Sequence, residues 1–189
     1  MRLLLHTCCA GCLLGGLSGL KRDGSEVVCF FFNPNIHPLL EFRKRIRAMK
    51  VLRDQMKGRP EMMVCEEYGL KRYLREVAPD GEKNCARCYE VRLGETARRA
   101  ADERFDAFST TLLGSHEQDH GLIREIGEKV ARETGVEFVY ADLRGEMEGG
   151  LAEAKRRKLY RQQYCGCIFS EEERYRDTWV EMYRGGGDD

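Results

Sequence analysis

The sequence predicts a three-layer, Rossmann-like α/β fold, a mostly parallel sheet with helices on both faces. Three observations predict it. Short apolar runs rich in valine and phenylalanine alternate with longer segments whose apolar residues recur every three or four positions. The runs are separated by helical stretches instead of two-residue turns, which requires crossovers and hence parallel strands. Finally, 189 residues with 42% hydrophobic content suffice for one sizeable core. Residues 1–189 therefore read as a single domain, with about 176–189, ending in GGGDD, as a flexible tail.

Taken in order, LLLH (3–6) is a short strand of the buried type, and EVVCFFF (26–32) is a stronger one closed by the turn-like NPN. Leu39, Phe42, Ile46, Met49, Leu52 and Met56 recur at helical steps and describe an amphipathic helix ending near Gly58. PEMMVCEEY (60–68) reads as a strand, and helical segments follow at 70–77 and 88–105. DAFSTTLL (106–113) and VEFVYADL (136–143) are strand-like and flank a helix at 116–134. There is no internal repeat and no linker.

Lys plus Arg is 32, and so is Asp plus Glu. Zero net charge gives no global attraction to nucleic acid, so any such contact must come from a local basic face. Two stretches offer one: Arg43, Lys44, Arg45, Arg47, Lys50 and Arg53, then Lys155, Arg156, Arg157, Lys158 and Arg161. Each taken alone describes an ordinary solvated helix face. No apolar run is long enough to span a membrane, and MRLLLH lacks the cleavage pattern of a signal peptide. The expected location is therefore cytoplasmic, where thiols are kept reduced. Nine cysteines then point to metal binding or redox chemistry instead of static cross-links.

The cysteines are grouped. HTCCAGC (6–12) lies at the end of the first strand, where open α/β sheets gather their ligands. NCARCY (84–89) has the C-x-x-C spacing, and YCGC (164–167) sets two cysteines one glycine apart. Sulfurs three residues apart on a turn can grip one metal or part of a cluster. Four thiolates suit zinc and iron–sulfur clusters alike. The adjacent pair Cys8 and Cys9 favours iron–sulfur, because adjacent side chains diverge and a multi-iron cluster offers more widely spaced ligand sites. Cys29 and Cys65 fall within apolar strands and read as small hydrophobes.

The blocks HTCCAGC, FFNPNIHPLLEFRKR, CARCYEVRLGETA, FDAFSTTLL and LYRQQYCGCIFS together resemble the cobalamin-independent epoxyqueuosine reductases, the QueH family, from residue 3 to about residue 175. The resemblance implies a catalytic domain that reduces epoxyqueuosine to queuosine in tRNA, with a 4Fe-4S cluster and an adjacent mononuclear iron. Carried onto this chain, Cys8, Cys9, Cys85 and Cys88 become the cluster ligands. Cys165 and Cys167 become the redox-active pair, and Cys12 falls to the neighbouring metal. The implied partners are a tRNA carrying epoxyqueuosine in its anticodon and an external electron donor, with no membrane.

Two stretches depart from the family pattern. CCAGC has Gly11 where proline is usual, which implies a freer loop. SHEQDH (115–120) matches at Ser115, Gln118 and His120 but not at His116 and Glu117, which bears on substrate contacts. HEQDH also satisfies the H-E-x-x-H zinc protease pattern. Ser115 followed by Gln118 reads as a capping box, however, which would put His116 in a fraying first turn. Alternatives are a metal-stabilised RNA-binding module without redox activity, or a related iron–sulfur reductase acting on a different substrate. ATP-dependent tRNA thiolases need a glycine- and serine-rich phosphate loop where HTCCAGC stands.

Overall fold

The computed structural model describes residues 1–20 and 25–178. Five parallel strands form one sheet in the order β3-β2-β1-β4-β5. They are β1 (Arg2–His6), β2 (Glu26–Phe31), β3 (Met62–Val64), β4 (Ala107–Thr110) and β5 (Glu137–Phe138). The helices are α1 (Ala10–Leu20), α2 (Leu39–Gln55), α3 (Leu70–Glu76), α4 (Cys85–Asp102), α5 (His120–Thr134), α6 (Arg144–Arg156) and α7 (Ile168–Tyr175). α1 packs on α2 and α6, while α4 packs on α3 and α5. Right-handed crossovers place these groups on opposite faces of the sheet, giving three layers.

The centre of the sheet is apolar on both sides, as a covered parallel sheet must be. Leu3, Leu4 and Leu5 of β1 are wholly buried and lie opposite Val27, Val28 and Cys29 of β2. On the other edge, Leu3 and Leu5 lie opposite Ala107 and Ser109 of β4. The strand order reverses at β1, so a crevice opens between the carboxyl ends of β1 and β4, where such sheets bind ligands.

Several expected boundaries move, each for a local reason. β4 stops at Thr110 because its Oγ1 accepts the Leu112 amide at 3.1 Å, turning the chain into a 3-10 turn at Thr111–Gly114. β5 keeps only Glu137–Phe138 of the strand expected at 136–143: β4 runs on to Thr110, but past Phe138 the Val139 carbonyl is taken by the Ser109 hydroxyl at 2.7 Å in place of a backbone amide, and the ladder stops. α5 begins at His120 and not at 116. Its N-cap is Asp119, whose carboxylate accepts the Leu122 amide at 3.0 Å, while the Ser115 hydroxyl accepts the Glu117 amide. The H-E-x-x-H histidines therefore do not share a helix face. Three helices, α1, α6 and α7, add to the expected set. α1 (AGCLLGGLSGL) is apolar or glycine at every position but Ser18 and has no clear amphipathic period, as expected of a helix buried over most of its surface. The expected tail is described only as far as 178; its GGGDD end lies outside the described residues.

Gly11 lies inside α1 instead of in a free loop, and its role is packing. A Cβ there would meet Leu151 Cδ2 of α6 at 3.1 Å, and one on Gly150 of α6 would meet the Gly15 backbone nitrogen at 2.5 Å. Small residues let α1 and α6 approach backbone to backbone.

Candidate metal and redox centre

The first cysteine group forms where β1 becomes α1. The Thr7 amide donates to the Phe30 carbonyl at 2.9 Å, which carries the β1–β2 ladder one residue past the strand. Helix α1 starts at Ala10, so Cys12 lies in its first turn and faces back toward Cys8 and Cys9. The three sulfurs lie within 4.8 Å of one another, close enough to hold one metal ion. Cys9 and Cys12 are joined as a disulfide, and Cys8 Sγ is 3.5 Å from Cys12 Sγ. The Gln162 amide nitrogen donates to Cys12 Sγ at 3.2 Å, tying this group to the segment that carries the C-G-C motif.

The second group opens α4. The Asn84 side chain accepts the Arg87 amide at 3.0 Å and caps the helix, which puts Cys85 at its first position and Cys88 one turn further. Burial pushes both thiols up, and nearby cations oppose it: Arg92 for Cys88, Lys83 and Arg92 for Cys85. Arg92 Nη1 lies 3.8 Å from Cys88 Sγ, one helical turn away.

The third group is the C-G-C loop before α7. It is held by a buried ion pair that the basic composition of α2 disguised. Arg45 binds Glu41 at 2.7 Å and donates to the carbonyls of Tyr164 at 2.9 Å and Cys165 at 3.0 Å. Arg45 is 1% exposed, so it does not belong to a solvated basic face; it anchors the C-G-C loop. Gly166 has φ +116°, and a Cβ there would meet Ile36 Cγ1 at 2.8 Å, so glycine between the two cysteines is required twice over. The His37 amide donates to the Gly166 carbonyl at 2.7 Å, and the Tyr164 hydroxyl donates to the His37 carbonyl at 2.6 Å.

Cys165 and Cys167 are both free thiols, so the disulfide present lies at Cys9 and Cys12 instead of in the C-G-C pair. Their environments differ. A hydrogen bond from Cys167 is the main effect holding Cys165 well below the ordinary thiol value, and it outweighs burial; the Ser170 hydroxyl, 2.9 Å away, adds to it. Cys167 moves in the opposite direction, first because it is the donor of that pair and then because it is buried. Its sulfur lies 3.0 Å from the Tyr73 hydroxyl, which burial keeps protonated.

The groups meet along one cleft. A cavity of about 390 Å³ is lined by Cys85, Cys88, Cys165 and Cys167 with Tyr73 and Arg92. A second, of about 360 Å³, is lined by Cys8, Cys12 and again Cys165. Glu117, Gln118, Gln163 and Tyr164 border both. His116 borders the second cavity and Glu117 both, so the stretch that departs from the family pattern lines the cleft. Gln118 is fixed there by the Tyr89 hydroxyl at 3.0 Å. Cys29 is wholly buried in β2 and Cys65 packs against the core, outside the cleft.

Sequence reasoning placed Arg45 on a basic face and missed Glu41, Tyr73, Asn35 and Arg92. Asn35 lines the larger cavity, and both polar atoms of its buried amide lack a partner among the described residues. Only Arg92 left a readable signal. It falls within the buried stripe of α4, Tyr89, Arg92, Leu93, Thr96, Ala97 and Ala100, where a charge is out of place.

Residues 3–173 match the family described as epoxyqueuosine reductase QueH. Relatives bearing that name include one from Dehalococcoides mccartyi, 38% identical over 92% of this chain and 94% of its own. One from Thermotoga maritima is 32% identical over 97% of both chains. Another, from Helicobacter pylori, is 31% identical over 89% of this chain and 49% of its own length. With matches of this extent running through all three cysteine groups, the chain belongs to the epoxyqueuosine reductase QueH family.

Proposed function

We propose that this protein reduces epoxyqueuosine in the anticodon of a tRNA, removing the epoxide oxygen to leave the cyclopentene of queuosine. The observation that carries the reading is the position of Cys165, which lines both thiol-bearing cavities and so joins the C-G-C pair to the two other cysteine groups in one cleft. A cysteine set serving only to staple the fold has no need of a surplus pair on a shared cleft wall.

The donor set is all thiol, which suits an iron–sulfur cluster or zinc. Cys8, Cys9, Cys85 and Cys88 are the proposed ligands of a 4Fe-4S cluster, and Cys12, 3.5 Å from Cys8, is assigned to a neighbouring mononuclear iron. Only the group Cys8, Cys9 and Cys12 is compact enough for a single ion among the described residues. The wider spread to Cys85 and Cys88 favours a multi-iron group. Cys9 and Cys12 become ligands once their disulfide is reduced. When bound, such a cluster supplies electrons one at a time.

The chain's own residues account for the rest. Cys165 is held as the thiolate and Cys167 as the thiol, so the pair enters with one nucleophilic sulfur and one proton in place. Going from dithiol to disulfide releases two electrons and two protons. Starting from thiolate and thiol, the balance is epoxide plus thiolate, thiol and one solvent proton to alkene, disulfide and water: two C–O bonds and one S–H bond break, one S–S bond, the C=C bond and two O–H bonds form, and the oxygen leaves with the Cys167 proton and the solvent proton. An external electron donor then returns the disulfide to dithiol. Tyr73 fixes the orientation of Cys167 from the buried side.

For the tRNA, the two basic stretches combine. The Gln55 amide of α2 donates to the Arg157 carbonyl at 3.2 Å, and Lys44 Nζ lies 5.6 Å from the Tyr160 ring centre. Exposed Lys44 thus stands beside the segment that carries exposed Lys155, Lys158 and Arg161, while exposed Arg43 and Arg47 extend the basic surface of α2 toward a groove shared with Lys50 and Glu66. None of these six pairs with a carboxylate among the described residues, whereas Lys50 pairs with Glu66, and Arg156 and Arg157 with Glu153.

The test is anaerobic purification under reductant, iron and sulfide analysis, and incubation with tRNA bearing epoxyqueuosine. The expected result is bound iron with acid-labile sulfide and a nucleoside that has lost one oxygen by mass spectrometry. Stoichiometric zinc without sulfide, and unchanged nucleoside, would overturn the reading.

A further inference from the structure

Two arginines, Arg45 and Arg92, are fully buried, at 1% and 2% exposure. Taking a guanidinium out of water costs several kcal/mol, and a fold recovers this only by pairing the charge. Arg45 is paired: Glu41 lies at 2.7 Å, and two backbone carbonyls take its other nitrogens. Arg92 has no carboxylate partner among the described residues. Its nitrogens reach Asn33 Oδ1 at 2.9 Å, His6 Nε2 at 3.4 Å and Cys88 Sγ at 3.8 Å. Neither of the first two partners is a carboxylate: Asn33 is an amide and His6 an imidazole. The groups beside Arg92 that can become anions are cysteines: Cys88 lies 3.8 Å away, Cys85 and Cys165 line the same cavity, and Cys8 is close enough to act on its charge.

The remaining contacts hold the guanidinium rigidly in place. The Asn33 amide nitrogen donates to the Thr7 carbonyl at 2.8 Å, and His6 Nδ1 lies 2.8 Å from Thr110 Oγ1, so the support for Arg92 is built on the ends of β1, β2 and β4. The cation is thus fixed at the sheet switch point, between the loop of Cys8 and the helix turn of Cys88.

We propose that Arg92 is the resident counter-ion of the cysteine centre, a positioning residue whose charge offsets the anion that Cys8, Cys88 and Cys165 present when a thiolate-bound cofactor is in place. The assignment rests on the reading of these cysteines as a metal and redox centre, and it adds a specific cost and benefit. Without bound cofactor the buried cation is a liability. With it, the cation stabilises the more negative, reduced state and raises the reduction potential.

Arg92→Met and Arg92→Lys test this, with two readouts that do not depend on turnover. The first is thermal unfolding of reduced, chelated protein against metal-loaded protein. Arg92→Met is expected to leave the chelated protein as stable as wild type or more so, since replacing an unpaired buried charge by an apolar side chain is neutral or favourable, and to destabilise the loaded protein. The second is the midpoint potential of the loaded protein. It is expected to fall by at least a tenfold change in the reduction equilibrium, 59 mV for one electron, with Arg92→Lys recovering most of the shift. Failure of Arg92→Met to take up iron while the chelated protein keeps its stability is the same result in stronger form. Equal loss of stability in both forms, with an unchanged potential, would overturn the assignment and leave Arg92 as an ordinary scaffold for Asn33 and His6. A wild type without iron and sulfide would instead defeat the reductase reading, and the chelated-protein comparison would then decide Arg92 alone.

Discussion

Cys165 and Cys167 differ in protonation as well as position, and the difference is testable at each sulfur. Because hydrogen bonding holds Cys165 low, its thiolate is present above a folded-state pKa below the usual value of about 8.5 and is lost only as pH falls through that lowered value. Alkylation of Cys165 should therefore stay fast at neutral pH and decline only in the acid range, while Cys167, buried and raised, stays unreactive. Peptide mapping after pH-stepped alkylation reads this. A Cys165 rate that rises with pH through the ordinary thiol range would contradict the assignment. The same pair separates electron storage from metal binding. Cys165→Ser and Cys167→Ser should each retain cluster iron and sulfide near wild-type content while steady turnover collapses by orders of magnitude. Loss of iron in both variants would make them ligands. That this pair lies in one cleft with the other cysteine groups was legible from the motifs and their place beyond the strand ends. Their supports were not, because Arg45 looks like any basic residue of a charged helix, and nothing in the spacing of Tyr73 tells that its hydroxyl meets Cys167.

At the level of elements, the cleft depends on helices that the sequence disguises. Amphipathic α2, α4 and α5 are visible because each buries one stripe. α1 is invisible to periodicity because, packed between the sheet and α6, it is apolar or glycine at every position but Ser18 and shows no contrasting polar stripe. Its packing supplies a sharp prediction. Gly150→Ala puts a methyl 2.5 Å from the Gly15 nitrogen and 2.7 Å from the Gly11 oxygen, both backbone atoms that cannot move aside. The helices must separate, at a cost of about 1–3 kcal/mol, which should lower Tm by several degrees. Because α1 carries Cys12 and its start fixes Cys9, metal occupancy should fall as well. Gly149→Ala, whose added methyl meets nothing within 4 Å, is the matched control and should leave occupancy unchanged. If both variants behave alike, close approach of α1 and α6 does not organise the site. The short strands were over-read for a related reason. Apolar character continues past the ends of β4 and β5, where side-chain hydroxyls, Thr110 for the Leu112 amide and Ser109 for the Val139 carbonyl, take the backbone groups out of the ladder, and composition does not report that.

For the molecule as a whole, a net charge of zero conceals a divided surface. The α/β class and the location of the site beyond the strand ends followed from alternation and topology, which are global patterns. Which basic residues face outward did not, because Arg45 and Arg47 differ by two positions on one helix and only packing decides which is buried. The exposed set, Arg43, Lys44, Arg47, Lys155, Lys158 and Arg161, comes from two segments that only the fold brings near each other, and on α2 it occupies the outward side, away from the buried Arg45 that holds the C-G-C loop. A polyanion seated there should release counterions as it binds, so affinity for tRNA is expected to fall steeply with salt. Reversing Lys44 and Lys158 to glutamate should weaken binding at low salt. It should also flatten the slope of log affinity against log salt by about 0.7–0.9 for each phosphate contact removed. Iron content should be unaffected, since neither side chain touches a cysteine group. Reversal of Lys50, already paired with Glu66, should matter less. Equal effects from Lys50 and Lys44, or a salt slope that the double reversal leaves unchanged, would move the tRNA to another face and leave this one an ordinary solvated surface.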